Sequence, residues 1–473
     1  MAELSASVPD RRLRIPIWAP LLVLVATISG LLVLAGEPLA GAVVLGTPAL
    51  PFLYYGLAKG VAGERNFGSL LAAGIIFVLS ANFRYREITE KSIDFQVALK
   101  LLAIGASLGF TVLFLKPIVR QLYLYGLAYW LAFYGWLLFS ATYAMAPLTA
   151  GVSTISLIGS FLFLCFLCVK YGPDRMVEIL VWAGLVMCVA SIAVYFAVPE
   201  FGRMKDWYGT EQILTSRMQG LFGASNGAGC GAATLLFLTI FFYMKQPGAS
   251  RLIGWATILT SSITMIMSIN RMAIGAFLLC CLIYFLVTGN FGRKLLLLFA
   301  VGVLAAVPVL LFPEAVFELV SRSGDAEEIT SGTGRTRIWA VVLDLVPKSW
   351  LFGYGYASAQ HILPIHPDLF EAAAHCHNLY LEMLFCSGVI GLFFLAWCIL
   401  TTIILAIRVG GARELGLFFF FLPYGLTEPV IGGVTYFAMI IWQASVVLLF
   451  YRAKLVEVAA GQSDRFSPAS RGT

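Results

Sequence analysis

Apolar residues run along this chain in blocks of about twenty, separated by short segments that carry most of its lysines and arginines. A helix rises 1.5 Å per residue, so about 20 apolar residues cross a hydrocarbon layer about 30 Å thick. That window predicts spans near 17–36, 39–58, 68–84, 97–115, 121–143, 150–170 and 176–198. A second group follows near 223–243, 252–269, 272–289, 294–312, 379–407, 414–428 and 430–451. The expected fold is an all-α polytopic membrane protein with about 12–14 transmembrane helices. The pieces 252–269, 272–289 and 414–428 are short enough to be half-spans or re-entrant segments. The first span is long and lacks a small-residue cleavage site, so no cleavable signal is expected.

Composition agrees with this pattern. Of 473 residues, 60% are hydrophobic and 12% charged, and mean hydropathy is +0.90. Soluble proteins carry roughly 25% charged residues, so a cytosolic enzyme, a secreted disulfide scaffold and a disordered hub are excluded. Eight of the nine cysteines lie in apolar stretches and only Cys376 lies in a polar loop, so no disulfide framework is expected. Cys165 and Cys168 read as helix packing, and Gly227 with Gly231 as a small-residue contact between helices. The net charge is +6, but its distribution is more informative. With the N-terminus in the cytoplasm, alternate loops place 19 of the 31 basic residues inside and 11 outside, with Lys100 within a span. This register puts both termini in the cytoplasm. It divides the chain into N-terminal helices (1–198), a membrane domain (199–451) and a cytoplasmic tail (452–473).

The outer face then collects two long loops, 199–222 and 313–376. The second far exceeds an ordinary helix connection. Within it, Ser331, Thr333 and Gly334 precede apolar positions Ile338, Trp339, Val342, Leu345 and Val346, and Pro347 follows. This predicts a short amphipathic helix with a start and a stop, lying along the outer membrane surface. All four histidines, His361, His366, His375 and His377, fall within seventeen residues at the end of this loop. His375, Cys376 and His377 offer ligand atoms, but their spacing matches no established zinc pattern, and no metal or other cofactor is expected. Arg217, Arg271, Arg335 and Arg337 share the outer face. Taken singly, each is equally well explained by a lipid phosphate or a salt bridge to Glu327 or Glu328. Several arginines on one face, two of them opening a helix, point instead to an anion site.

Two short strings, Arg217-Met218-Gln219-Gly220-Leu221-Phe222 with Asn226, and Ser268-Ile269-Asn270-Arg271, resemble motifs of the O-antigen ligase and polymerase superfamily. Gly334-Arg335-Thr336-Arg337-Ile338-Trp339 leading to Trp350-Leu351-Phe352-Gly353-Tyr354-Gly355 is similar to its large-loop motif. His377-Asn378-Leu379-Tyr380-Leu381-Glu382, with Gly388 and Gly391-Leu392, resembles its HNxxLExxxxxGxxGL helix. The resemblance covers roughly residues 215–400. It implies a GT-C-like helical membrane glycosyltransferase that takes a polyprenyl-diphosphate-linked oligosaccharide and transfers it with inversion and without a metal. The implied setting includes membrane lipids, a flippase and a chain-length regulator, and no nucleic acid.

The chemistry fits the residue types. A sugar diphosphate already has a good leaving group, so the need is for positive charge around the diphosphate and a base for the acceptor hydroxyl. His377 is the expected base, Arg217 and Arg335 the expected clamp, and Arg271 and Arg337 the supporting cations. Asn378 is expected to orient the imidazole and Glu428 to hold its tautomer. Between polymerase and ligase, the loop 313–376 leans to the polymerase. It carries eight acidic residues against four basic, a poor surface for the phosphate-rich lipid A-core that a ligase must dock. A transporter or flippase would carry intramembrane charges and repeats, and here the charges within spans are chiefly Lys100 and Glu382. The topology is open to direct test. In a background lacking Cys376, Ser323→Cys should react with an impermeant thiol reagent in intact spheroplasts and Gln246→Cys should not. The reverse pattern would refute the register.

Overall fold

The computed structural model describes residues 65–84, 94–205, 214–295, 335–369, 373–431 and 436–465. The predicted spans 17–36 and 39–58, nearly all of 294–312, and Ser331 to Gly334 lie outside the described residues. Within them the chain is almost wholly helical. The principal helices are α1 (Arg65–Ser80), α2 (Phe95–Leu113), α3 (Leu115–Leu122), α4 (Leu127–Ala141), α5 (Pro147–Tyr171) and α6 (Pro173–Ala197). After a small hairpin come α7 (Ser225–Phe241), α8 (Arg251–Met267), α9 (Arg271–Thr288), α10 (Arg335–Leu345), α11 (Leu379–Arg408), α12 (Ala412–Phe419) and α13 (Phe437–Arg465). Among the described residues, seven helices are long and apolar enough to cross a membrane, and α3 with α4 add an eighth if that pair is one span.

The predicted span 121–143 is in fact bent by 106°. Gly126 sits at the bend with φ +128, and a Cβ there would lie 2.6 Å from the Phe450 ring. The predicted pieces 252–269 and 414–428 are short, as α8 and as α12 with a helical turn at Phe421–Tyr424. Pro147 and Pro173 open α5 and α6 at positions where a missing N–H costs nothing, and Gly172 at φ +87 ends the first of the two.

The core is held by α5, α7 and α13, the most enclosed of the spans. Trp130, Phe133 and Tyr134 of α4 pack with Phe161 of α5, and Trp130 also meets Trp442 of α13 edge-on. Gln443 is buried among them. It donates to Leu157 O at 2.9 Å and to Tyr134 Oη at 3.3 Å, and accepts from Ser160 Oγ at 2.8 Å. An amide in an apolar layer needs such partners. The Gly227/Gly231 pair serves a different contact from the one its spacing suggests. A Cβ on Gly231 would strike the Phe222 ring at 2.6 Å, so the pair receives an aromatic from the preceding turn rather than a second helix.

Helix α11 is broken where the large loop meets it. Gly388 adopts φ +67, ψ −172 inside the helix. The segment Trp350–Gly355 fills the break: Val389 N donates to Trp350 O at 2.9 Å and Tyr354 N to Phe385 O at 2.9 Å. A Cβ on Gly388 would lie 2.1 Å from Leu351 O, and one on Gly353 would lie 2.6 Å from the Cys386 carbonyl carbon. The glycines of two separate sequence motifs thus make one joint, needed both for positive φ and for close backbone approach. Gly388→Ala should therefore lower the melting temperature of the purified protein markedly. Gly135→Ala, where no described atom lies within 4 Å of the added carbon, should leave it nearly unchanged.

Candidate functional site

The first turn of α11 organises the site. Asn378 caps the helix, its Oδ1 accepting from Tyr380 N at 2.9 Å and Leu381 N at 3.0 Å. Its Nδ2 donates to Leu426 O at 3.1 Å, and Leu379 N donates to Gly425 O at 2.6 Å. The segment 425–428 is thereby aligned along the helix start. The expectation that Asn378 orients the His377 imidazole is corrected: both ends of its amide are engaged by backbone, and it positions a loop instead. Glu382, one turn on, accepts from Cys376 N at 2.7 Å. His377 lies between these anchors with φ +47, a backbone state uncommon for a residue with a Cβ and concentrated at functional sites.

The amphipathic helix predicted in the large loop is α10. Its apolar face is not left to the membrane surface. Ile338 and Val342 are buried against Leu363, Ala373, Cys376, Phe385 and Cys386. Trp339 Nε1 donates to Cys376 O at 2.8 Å, which ties the first turn of α10 to the residue preceding His377. Cys376, read from sequence as a loop residue, is fully buried in this cluster. Burial, with Glu382 and Cys386 close by, pushes its thiol well above the usual range. Arg335, the first residue of α10, is carried to the same place.

There it meets Glu428. Arg335 Nη2 donates to Glu428 Oε1 at 2.7 Å, and Asn226 Nδ2, at the start of α7, donates to the same oxygen at 2.6 Å. His377 Nδ1 lies 3.2 Å from Oε1 and 3.3 Å from Oε2. His375 Nε2 lies 3.8 Å from Oε2. Arg217 joins through Asn226, donating from Nη2 to its Oδ1 at 3.3 Å, and from Nε to Ser268 O at 3.4 Å. It stands on a two-stranded hairpin (β1, Arg203–Lys205; β2, Leu214–Met218), an element absent from the sequence reading of the loop 199–222. Tyr195 Oη at the end of α6 holds that hairpin by donating to Ser216 O at 2.9 Å.

A second anchor lies beneath. Asn270 caps α9, accepting from Ala273 N at 3.1 Å, while its Nδ2 donates to Asn226 O and Tyr424 Oη, each at 3.1 Å. Gly229 allows this approach, since a Cβ there would lie 2.5 Å from Asn270 Cβ. Arg271 follows Asn270 as the first residue of α9 and is half-buried. Arg337 is exposed and makes no ion pair among the described residues. His361 and His366 are not among the partners of Glu428. The sequence reading assigned no role to Asn226 and left His375 open. The signal for Asn226 was its place, a polar residue opening an apolar segment nine positions after Arg217.

Glu428 is buried, which acts to raise its pKa, but the opposing effects prevail. The adjoining His377 imidazole, the His375 imidazole beside it and the Arg335 guanidinium hold its carboxyl well below the usual carboxylate range. The site is thus an ionised carboxylate bound to one imidazole, one guanidinium and one amide. That arrangement can fix an imidazole tautomer with Nε2 turned to a substrate, beside cations suited to a phosphate. His375, His377 and Glu428 could also hold a metal ion, as their ligand atoms lie within 4.8 Å of one another. A depressed folded pKa adds stability above the unfolded value, about 4.3 for Glu, and that stability is lost as pH falls through the lower folded value. Glu428→Gln should therefore unfold at lower temperature than the wild type at pH 7. The difference should shrink as the pH falls below about 4, read by thermal unfolding in detergent across pH.

No curated protein matches the chain. Residues 256–396 match the family model described as O-antigen ligase. That segment contains Arg271, Arg335, His375, His377 and Asn378, and stops short of Glu428; Arg217 and Asn226 precede it. The matched segment, less than a third of the chain, supplies most of the site and the broken helix with its docking loop, and in that segment the chain is similar to the O-antigen ligase family.

Proposed function

We propose that the chain polymerises undecaprenyl-diphosphate-linked oligosaccharide repeat units at the outer face of a bacterial inner membrane, by inverting, metal-independent transfer. The observation that carries this reading is Glu428, which touches the expected base and one arginine of the expected clamp, and reaches the other through Asn226. In the proposed reaction His377 Nδ1–H faces Glu428, leaving the Nε2 lone pair to take the acceptor hydroxyl proton. The acceptor oxygen attacks the anomeric carbon from the face opposite the diphosphate. The bond from that carbon to the diphosphate oxygen breaks, and its electron pair leaves with the diphosphate. Arg335 has five N–H donors, one of them on Glu428, and with Arg217 it stabilises the charge that develops on the leaving group. Arg271 adds positive charge at a helix start.

Polymerase is preferred to ligase because the large loop is acidic, as counted above. The description of the matched family keeps the ligase as the second reading. A deletion strain separates the two. Single repeats without polymer indicate a polymerase, and free polymer unattached to lipid A-core indicates a ligase. For the chemistry, His377→Ala should reduce transfer from a polyprenyl-diphosphate oligosaccharide by about 10²–10⁴-fold. Arg335→Lys keeps the charge but loses the planar fork and should still be impaired. Arg217→Ala should lose most activity with unchanged protein level. Full turnover by His377→Ala would remove the base assignment.

A further inference from the structure

His375 takes no part in the transfer proposed above, yet it stands beside two residues that do. Its ring lies 4.2 Å from that of His377, centroid to centroid. Its Nε2 is 3.8 Å from Glu428 Oε2, and His377 Nδ1 is 3.3 Å from the same oxygen. We propose that His375, His377 and Glu428 form a binding site for a borderline-soft divalent ion, zinc above all, and that the bound ion switches transfer off. The inhibitory half rests on the reading of His377 as the base; the binding half does not.

Two edges of the site approach what zinc requires, and the third, between the two imidazoles, lies within 4.8 Å. With metal–ligand bonds of about 2.0–2.1 Å, neighbouring ligand atoms of a tetrahedral site lie about 3.3 Å apart. The His377–Glu428 edge already has that length, and the His375–Glu428 edge must close by about 0.5 Å. Two imidazoles and one carboxylate are a zinc donor set that leaves a fourth position open. Magnesium, which favours an octahedron of oxygens, is a poor match. The donors nearby do not block the site, because Arg335 and Asn226 both bind Oε1 while His375 faces Oε2.

Inhibition follows from the imidazole itself. A neutral ring that coordinates through Nδ1 carries its one proton on Nε2. The nitrogen proposed to accept the hydroxyl proton then has no lone pair to offer. The ion would block the base without covering the arginines.

The test uses the full chain, purified into lipid nanodiscs and stripped with a chelator. Cobalt(II) should bind at one equivalent with an intense visible band, which zinc should displace and magnesium should not. Zinc should inhibit transfer, and chelator should restore it. His375→Gln should transfer like the wild type, lose the band, and need about 100-fold more zinc or above for half-inhibition, since even an outer partner of a ligand is worth 10–100-fold. His375→Asn should behave in the same way, with thermal unfolding confirming that both variants fold. Absence of a saturable cobalt band, or unchanged zinc sensitivity in both variants, would overturn the proposal. A stripped chain that fails to transfer while the band is present and depends on His375 would refute metal-free transfer and leave the site standing. A stripped chain that transfers but shows no band would do the opposite.

Discussion

A carboxylate removed from water must be matched by donors and positive charge, or it protonates. Glu428 is 7% exposed, and its compensation comes from parts of the chain far apart in sequence: the start of α7, the start of α10 and the loop before α11. Arg217 on the hairpin is tied to the same point through Asn226. Each of these segments is short and polar, and none would hold its position alone. The carboxylate makes their convergence a requirement, because removing one partner leaves the rest around an uncompensated charge. In the proposed reaction an anionic substrate competes for the same cations. Arg335 is therefore shared between the resting ion pair and any phosphate that enters, and the strength of that pair sets how readily the arginine is released.

The second constraint is mechanical. The described part of the large loop, 335–369 and 373–376, is held at two docking points. One is the face of α10 buried on Cys376, Phe385 and Cys386; the other is the insertion of Trp350–Gly355 into the break of α11. Both lie on the same half-helix whose N-terminus presents His377. Motion of the loop and orientation of the histidine are thereby coupled through one rigid piece. Glu382 and Asn378 complete that piece by capping opposite sides of the turn. Within it the strained residue is the proposed base, as His377 takes a positive φ while its neighbours make ordinary helix-start geometry.

Much of this was legible along the chain. Block length identified the spans, because hydrocarbon thickness is a one-dimensional constraint that acts on consecutive residues. Loop charge predicts one face, and on it Arg217, Arg335 and His377 were selected by type and place. The structure sets Arg335 and His377 against Glu428 and ties Arg217 to it through Asn226; Glu428 was named from sequence as a partner of the imidazole. The amphipathic helix was legible as well, since Ile338 and Val342 mark a helical face within a single turn.

What covers that face was not legible, nor was the wiring of the site. Helical periodicity reports relations between residues three or four apart. The contacts of Glu428 join residues separated by 51, 93 and 202 positions. Asn378 could not be separated from a ring-orienting residue until the backbone showed it capping α11 and holding Leu426. Asn226 had no role until folding set it between Arg217 and Glu428. His375 looked like a neighbour in a loop until the positive φ at His377 brought both rings to one carboxylate. Sequence by itself separated the apolar blocks from the polar segments between them, because solvation acts on each residue locally. The tertiary structure decided which of them meet, because compensating a buried charge depends on distances that only the closed chain defines.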